Sequence, residues 1–225
     1  MARRWSRDCW WRVTTSAPNA GDFGDDDKGA ILIGPYLHER QAEYWTSRGV
    51  EDYFLDAGFE VISFPLTQRS EHEIPFDFVF MEKSTCKMFG FQYKALYHNG
   101  SDYWPLNQAQ HEALQAFQGW AHYALSEMRS SKDHRVALHQ TIFVPVTIPY
   151  SERLFKDNLE RYRRWGGFAD GLNKCQVGRR VESREDIEAL LHPRARKVID
   201  EVDEHLVDVF VANLKERKLL HLDGR

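Results

Sequence analysis

Gln92 and Lys94 stand two residues apart in Phe91-Gln92-Tyr93-Lys94, and Asp77 lies upstream in Pro75-Phe76-Asp77. Both stretches read as strands. Residues 76–81 are Phe-Asp-Phe-Val-Phe-Met, and residues 88–94 are Met-Phe-Gly-Phe-Gln-Tyr-Lys. Side chains alternate faces along a strand, so Gln92 and Lys94 emerge on one side while Phe91 and Tyr93 emerge on the other. If the two strands are hairpin neighbours, the Asp77 carboxylate reaches the same edge. An acid, a neutral oxygen donor and a lysine then make a small hard-cation site with a charged proton-handling group beside it. That combination suits metal-assisted hydrolysis of a phosphodiester. Each residue also has a plainer reading. Lys94 could be a snorkelling surface lysine, Asp77 a turn residue at a strand start, and Gln92 a solvent-facing polar position.

The elements that must position these groups follow from periodicity. A helical pattern starts at Pro35, a residue suited to a first turn, and carries Leu37, Gln41, Tyr44 and Trp45 at helical spacing. It runs through Val50, Phe54 and Leu55 to Ala57, with Gly58 as a C-terminal stop. Residues 59–64 alternate apolar and polar, as a half-buried strand does. Pro65 to Pro75 is a polar loop, and Lys83-Ser84-Thr85 is a turn between the two strands of the site. Leu106 to about Met128 reads as one long helix, with Ala109, Ala113, Leu114, Phe117, Trp120, Ala121 and Leu125 on its apolar face. Residues 137–148 read as a buried strand. The remainder is expected to be helical: an amphipathic basic stretch from Ser151 to Trp165, a short helix opened by Ser183-Arg184-Glu185-Asp186, and a long terminal helix marked by Val198, Val202, Leu206, Val209, Phe210 and Leu214. The expected organisation is an irregular N-terminal segment over 1–30, an α/β core over 31–150 and a C-terminal helical extension over 151–225.

The order helix, strand, strand, strand, helix, strand, with Asp77 at the start of the second strand and Gln-x-Lys on the third, resembles the PD-(D/E)xK nuclease superfamily over roughly residues 36–148. More narrowly, Gln92-Tyr93-Lys94 is similar to the Q-x-K variant of Mrr-like restriction endonucleases, and the loop-then-strand placement is similar to that of archaeal Holliday-junction resolvases. The resemblance implies a restriction endonuclease-like αβββαβ core with a mixed central sheet flanked by helices, a divalent metal (Mg²⁺, with Mn²⁺ as a substitute) and cleavage of a nucleic-acid backbone. Two departures stand out. Phe76 separates Asp77 from Pro75, and Gln92 occupies a position where many members carry Glu or Asp. On this reading Asp77, the Gln92 amide oxygen and the Tyr93 backbone carbonyl hold the metal, and Lys94 orients the attacking water or offsets transition-state charge. Members of the superfamily often add an acid from the first helix. Glu39, Glu43 and Glu51 compete for that role, Glu43 fitting best and Glu51 next, and all three could instead be solvated helix charges.

Substrate-facing candidates flank this centre. Gln110 sits near the start of the second helix, with Gln108 and His111 as neighbours. Tyr97, His98, Tyr103 and Trp104 could stack on a base or sugar or pack on the helix. Arg161 and Arg164, three apart, could track phosphates, as could Arg163, Lys174, Arg179, Arg180, Arg194, Arg196 and Lys197; a solvated helix face explains them equally.

Composition bounds the rest. Hydrophobic content of 42% and charged content of 28% are ordinary for a globular protein, and no apolar run approaches the roughly 20 residues of a membrane span. Net charge is −4, so any nucleic-acid surface must be a local basic patch. The three cysteines, Cys9, Cys86 and Cys175, form no C-x-x-C pair, which suits a reducing cytoplasm, and no secretory leader follows the basic N-terminus. The ten histidines include no H-x-x-x-H pair, and no phosphate-binding P-loop occurs. The expectation is a nuclease acting on DNA rather than RNA, in a defence or repair setting, with no membrane partner. Self-association or a protein partner could use the C-terminal helices. Two rivals stay open: a pseudonuclease serving as a binding or assembly module, and an unrelated α/β domain in which the motif is chance.

Overall fold

Eight consecutive residues, Lys87–Lys94, are all buried, and only a strand covered on both faces and both edges allows that. This strand, β4, is the spine of the sheet. In the computed structural model, residues 34–66, 75–83, 85–191 and 207–212 are described. The N-terminal segment 1–30, including Trp5, Trp10 and Trp11, and the basic positions Arg194, Arg196 and Lys197 lie outside them.

The chain enters through a two-residue strand β1 (Gly34–Pro35) and the helix α1 (Glu39–Asp56). Pro35 does not open the helix. It pairs with Tyr97, and the extended residue His38 is the N-cap. The other end closes as expected: Gly58 has φ +75°, its N–H donates to Leu55 O at 3.0 Å, and Phe59 N–H donates to Phe54 O at 2.8 Å. That pair of bonds is a Schellman closure, which favours glycine at the left-handed position.

Strands β2 (Val61–Pro65), β3 (Phe78–Glu82) and β4 form an antiparallel meander. After β4 the chain makes a hairpin of β5 (Tyr97–His98) and β6 (Asp102–Pro105), then α2 (Gln108–Leu114). It returns as β7 (Ala121–Ser126), parallel to β4, followed by antiparallel β8 (Thr141–Pro145). The central sheet order is β2-β3-β4-β7-β8. The parallel β4–β7 pair requires a long crossover, which the hairpin and α2 supply.

The expected helix over 106–128 is therefore half right. Asn107 Oδ1 caps α2 by accepting from Gln110 N–H at 3.0 Å, but the helix ends at Leu114 and continues only as a single 3-10 turn to Phe117. Gly119, at φ +93°, reverses the chain, and Ala121–Ser126 is a strand buried at all six positions. A short apolar run covered on both faces has no period that separates strand from helix, so Trp120, Ala121 and Leu125 fitted a helical stripe by coincidence.

The expected helix over 151–165 is also absent. Residues Arg153–Leu154 form β9, paired with β6, and Arg163 bridges Phe143 in extended conformation. Leu154, Leu159 and Trp165 are the buried anchors of this stretch, and Leu159, five residues from one and six from the other, falls on no helix face with them. Helix α3 begins only at Trp165 and runs to Asn173. A further short strand β10 (Arg179–Arg180) adds to the start of β4, and α4 (Arg184–Leu191) opens with Ser183 Oγ accepting from Asp186 N–H at 3.1 Å. Residues 207–212 are helical, and Val207 and Phe210 are buried in the same core as Ile187 and Leu191. The other expected stripe positions Val198, Val202, Leu206 and Leu214 lie outside the described residues.

Two apolar layers sandwich the sheet. Phe80, Phe89, Phe91 and Tyr93 pack against Val50 and Phe54 of α1 and Trp165, Phe168 and Leu172 of α3. Val79, Met81, Met88, Tyr123 and Leu125 pack against Leu114, Phe117, Trp120 and the C-terminal helices.

Candidate active site

The β3–β4 register decides which residues meet. Glu82 pairs with Lys87 at the turn and Phe78 with Phe91 at the far end, so one further step places Asp77 opposite Gln92. Asp77 is held there from both sides. Its N–H donates to Phe91 O at 3.0 Å and its carbonyl accepts from Leu66 N–H at 2.8 Å. Phe76, just before it, lies across Gly90 with Trp120, their ring centroids 4.9 Å apart. A Cβ on Gly90 would sit 3.2 Å from both rings, a tight contact that the glycine avoids.

At the end of the ladder Asp77 Oδ2 accepts from Gln92 Nε2 at 2.7 Å and from Tyr93 N–H at 2.6 Å. Gln92 is 1% exposed, and its Oε1 is buried with no hydrogen-bond partner. Gln92 Nε2 also lies 3.4 Å from the Tyr93 carbonyl. Lys94, on the same face as Gln92, donates from Nζ to Glu39 Oε1 at 3.2 Å. Glu39 Oε2 accepts from Ala95 N–H at 3.4 Å.

Glu39 stands in the first turn of α1, where a negative side chain is favoured by the helix dipole. Two contacts fix that helix over the sheet: Ser47 Oγ to Tyr93 Oη at 2.8 Å, and Thr46 Oγ1 to Thr141 Oγ1 at 3.1 Å. Of the three competing glutamates, Glu39 therefore meets Lys94. Glu43 acts on the site through its charge, raising the Asp77 carboxyl. Glu51 is tied to Arg48 at 3.2 Å and accepts from Ser63 Oγ, bracing α1 against β2. The shared side of Glu39, Glu43 and Glu51 was legible; which of them reaches the lysine depends on how α1 lies along the sheet.

Burial pushes the Asp77 carboxyl up to about 8, with the Glu43 and Glu39 charges adding to the rise while Lys94 and the Tyr93 N–H oppose it. A buried acid in that state favours either a proton or a cation. The orphaned Gln92 Oε1 is an acceptor in want of a donor or a metal. Among the described residues no three His, Cys, Asp or Glu side chains cluster as a metal cage. The donors fit a cation that keeps most of its waters, as Mg²⁺ does, and not an enclosed Ca²⁺ or Zn²⁺.

The expected substrate contacts divide. His98 Nδ1 is bonded to Asp102 Oδ1 at 2.7 Å, and Asp102 also accepts from Tyr36 Oη at 3.0 Å and from Arg129. Tyr97 and Tyr103 pair across the β5–β6 hairpin, partly exposed. Trp104 is buried, donating to Ser126 O at 2.7 Å, so it is not free to stack on a substrate. Gln110 is half-buried in the first turn of α2, while His111 is buried against Tyr123 Oη at 2.9 Å. Arg161 and Arg164 do not share a helix face, because both precede α3. Arg164 is committed to Glu127 and to His139 O at 3.2 Å. Arg161 is exposed.

The fold and this site define a mixed α/β protein with a multi-stranded mixed sheet flanked by helices. No protein-family model, curated protein or solved structure matches the chain. Among the described residues, no helix is long and apolar enough to cross a membrane.

Proposed function

We propose that this protein is a Mg²⁺-dependent nuclease of the PD-(D/E)xK type, hydrolysing phosphodiester bonds of DNA. The observation that carries the reading is the Asp77–Gln92 contact, Gln92 Nε2 lying 2.7 Å from Asp77 Oδ2, with Lys94 two residues on along the same face of β4, held by Glu39 at 3.2 Å and close enough for its charge to act on Asp77. The order α1, β2-β3-β4, α2, β7, with the β5–β6 hairpin inserted before α2 and β4 parallel to β7, supports the restriction endonuclease-like core that the motif implies.

Asp77 and the Gln92 amide oxygen would hold the metal, with the Tyr93 carbonyl as a third donor. When bound, Mg²⁺ lowers the pKa of a coordinated water and neutralises charge building on the phosphoryl oxygens. Lys94 supplies a fixed cation at the same edge. Its Nζ donates to the attacking water or to a non-bridging phosphate oxygen, and Glu39 holds that ammonium in place. Glu43 adds negative charge near Asp77, so the pocket attracts a divalent cation more strongly than Asp77 alone would.

The test is cleavage of supercoiled, linear and branched DNA, and of RNA, with Mg²⁺ or Mn²⁺ and in EDTA, beside Asp77→Ala and Lys94→Ala. Metal-dependent cleavage abolished in both variants supports the proposal. Folded wild-type protein that neither cuts any of these substrates nor gains thermal stability from either metal refutes it, and favours a binding module on the same fold.

A further inference from the structure

From the lysine end of β4 the chain continues through Ala95, whose N–H is held by Glu39, to Tyr97 on β5. Tyr97 pairs directly with Tyr103 on β6, and their ring centroids are 6.0 Å apart. Phe155, immediately after β9, continues the row with its centroid 6.1 Å from that of Tyr103. All three rings are partly exposed, while their neighbours Trp104 and Leu154 point into the core. The small sheet β1-β5-β6-β9 thus presents one row of aromatic rings crossing three strands.

A cation completes the row. The Arg153 guanidinium lies 5.0 Å over the Tyr103 ring. Arg153 is exposed and has no carboxylate partner among the described residues. The nearby basic groups are otherwise spent: Arg129 on Asp102, and Lys156 and Arg164 on Glu127. An unpaired guanidinium on an aromatic face is a site for a phosphate beside a stacked base.

The row also distinguishes paired from unpaired strands. Bases in a continuous stack rise by about 3.4 Å per strand, whereas the rings stand 6.0 and 6.1 Å apart and are tilted by 41° and 49°. Bases seated on neighbouring rings must therefore be separated from one another and turned, which a duplex forbids and a single strand allows.

We infer that the Tyr97–Tyr103–Phe155 row, with Arg153, is a stacking platform that leads single-stranded nucleic acid to the Asp77–Lys94 site. The substrate class is then an unpaired strand or a duplex with an unpaired arm. This rests on the nuclease reading for its direction, since the row starts three residues after Lys94, but the binding it describes is tested without catalysis.

The experiment uses the full chain carrying Asp77→Asn, in EDTA, with a fluorescent oligothymidine of about 20 nucleotides and a duplex of the same length, read by anisotropy. Oligothymidine is expected to bind roughly tenfold more tightly than the duplex, since each stacked base contributes on the order of a tenfold factor or more. Adding Tyr103→Leu, which fills space without a ring face, should weaken oligothymidine roughly tenfold, while Tyr103→Phe retains it. Arg153→Gln, at an exposed position, should weaken it several-fold. Duplex binding as tight as single-strand binding, or Tyr103→Leu and Arg153→Gln both leaving affinity unchanged, overturns the inference. A change in sedimentation mass caused by Tyr103→Leu, with no change in binding, also overturns it and marks the row as a self-association face. Stacking-dependent binding in a protein whose wild type cuts no nucleic acid removes the nuclease reading and keeps the platform.

Discussion

Asp77 and Gln92 share a hydrogen bond of 2.7 Å because the β3–β4 register places them opposite each other one step beyond the last ladder pair. The same register places the Tyr93 N–H on Asp77 Oδ2, so one carboxylate oxygen closes the end of the sheet ladder and anchors the amide. Gln92 is thereby both a structural partner of Asp77 and, through its buried Oε1, a second oxygen at the same end of the sheet. Two consequences follow for substitution at that position.

Gln92→Glu replaces the donor with a second carboxylate beside Asp77. The lost hydrogen bond and the like charge should destabilise the metal-free protein by roughly 1–3 kcal/mol. Mg²⁺ should then raise the melting temperature of this variant more than that of the wild type, because the added charge is a better metal ligand. Melting curves in EDTA and in Mg²⁺ check both halves.

The state of Asp77 sets a pH dependence. Its carboxyl is pushed up to about 8 in the folded protein, from an ordinary value of 3.8. Between those two values the folded protein holds a proton that the unfolded chain has lost, so this group's contribution to stability falls as pH rises through the window. Stability against urea should decline from pH 5 to pH 8.5 more steeply in the wild type than in Asp77→Asn, which has no proton to lose. A cation competes with that proton, so Mg²⁺ should stabilise the wild type more at pH 8.5 than at pH 6.

Glu39 and Lys94 form an ion pair whose two members are 39% and 11% exposed. Its net contribution to stability is small for that degree of exposure, but it fixes the ammonium. Glu39→Gln should lower the cleavage rate by about tenfold or more while leaving the Mg²⁺-induced melting shift intact. Glu51→Gln, which breaks the brace to Ser63 and Arg48, should instead lower melting temperature and spare the metal response.

Gly90→Ala introduces a Cβ 3.2 Å from the Phe76 and Trp120 rings. Overpacking costs about 1–3 kcal/mol where the neighbours are held, as Phe76 and Trp120 are by each other and by Phe117. Phe76 precedes Asp77, so relief of the clash shifts the acid. The expected result is a drop in cleavage larger than the melting shift alone explains, measured below the melting transition.

The meeting of Asp77 with Gln92, and the shared face of Gln92 and Lys94, were legible in the sequence because they depend on short-range geometry: the alternation along one strand, and a hairpin turn short enough to bring Asp77 opposite. Gly58 marked the end of α1 for an equally local reason. The crossover was not legible. Ala121–Ser126 is apolar enough to be covered on both faces, and only the pairing with β4 distinguishes it from a helix continuing α2. Glu39 was ranked below Glu43 and Glu51 by superfamily spacing, which carries no information on where the first turn of α1 crosses the end of β4 and meets Lys94. Tyr97 and Tyr103 were legible as stacking candidates, but the row they share with Phe155 and Arg153 was not, because those two reach Tyr103 through β9, inside a stretch whose charge pattern read as a helix.

The central claim is that Asp77, Gln92 and Lys94 act as one hydrolytic centre. The most direct measurement is the single-turnover rate of Mg²⁺-dependent DNA cleavage by the wild type and by Lys94→Met, which keeps the unbranched apolar stem, one atom shorter, and removes the charge. The account predicts a rate lower by roughly 100- to 1,000-fold, with the melting shift induced by Mg²⁺ unchanged. Cleavage at the wild-type rate by Lys94→Met would contradict it.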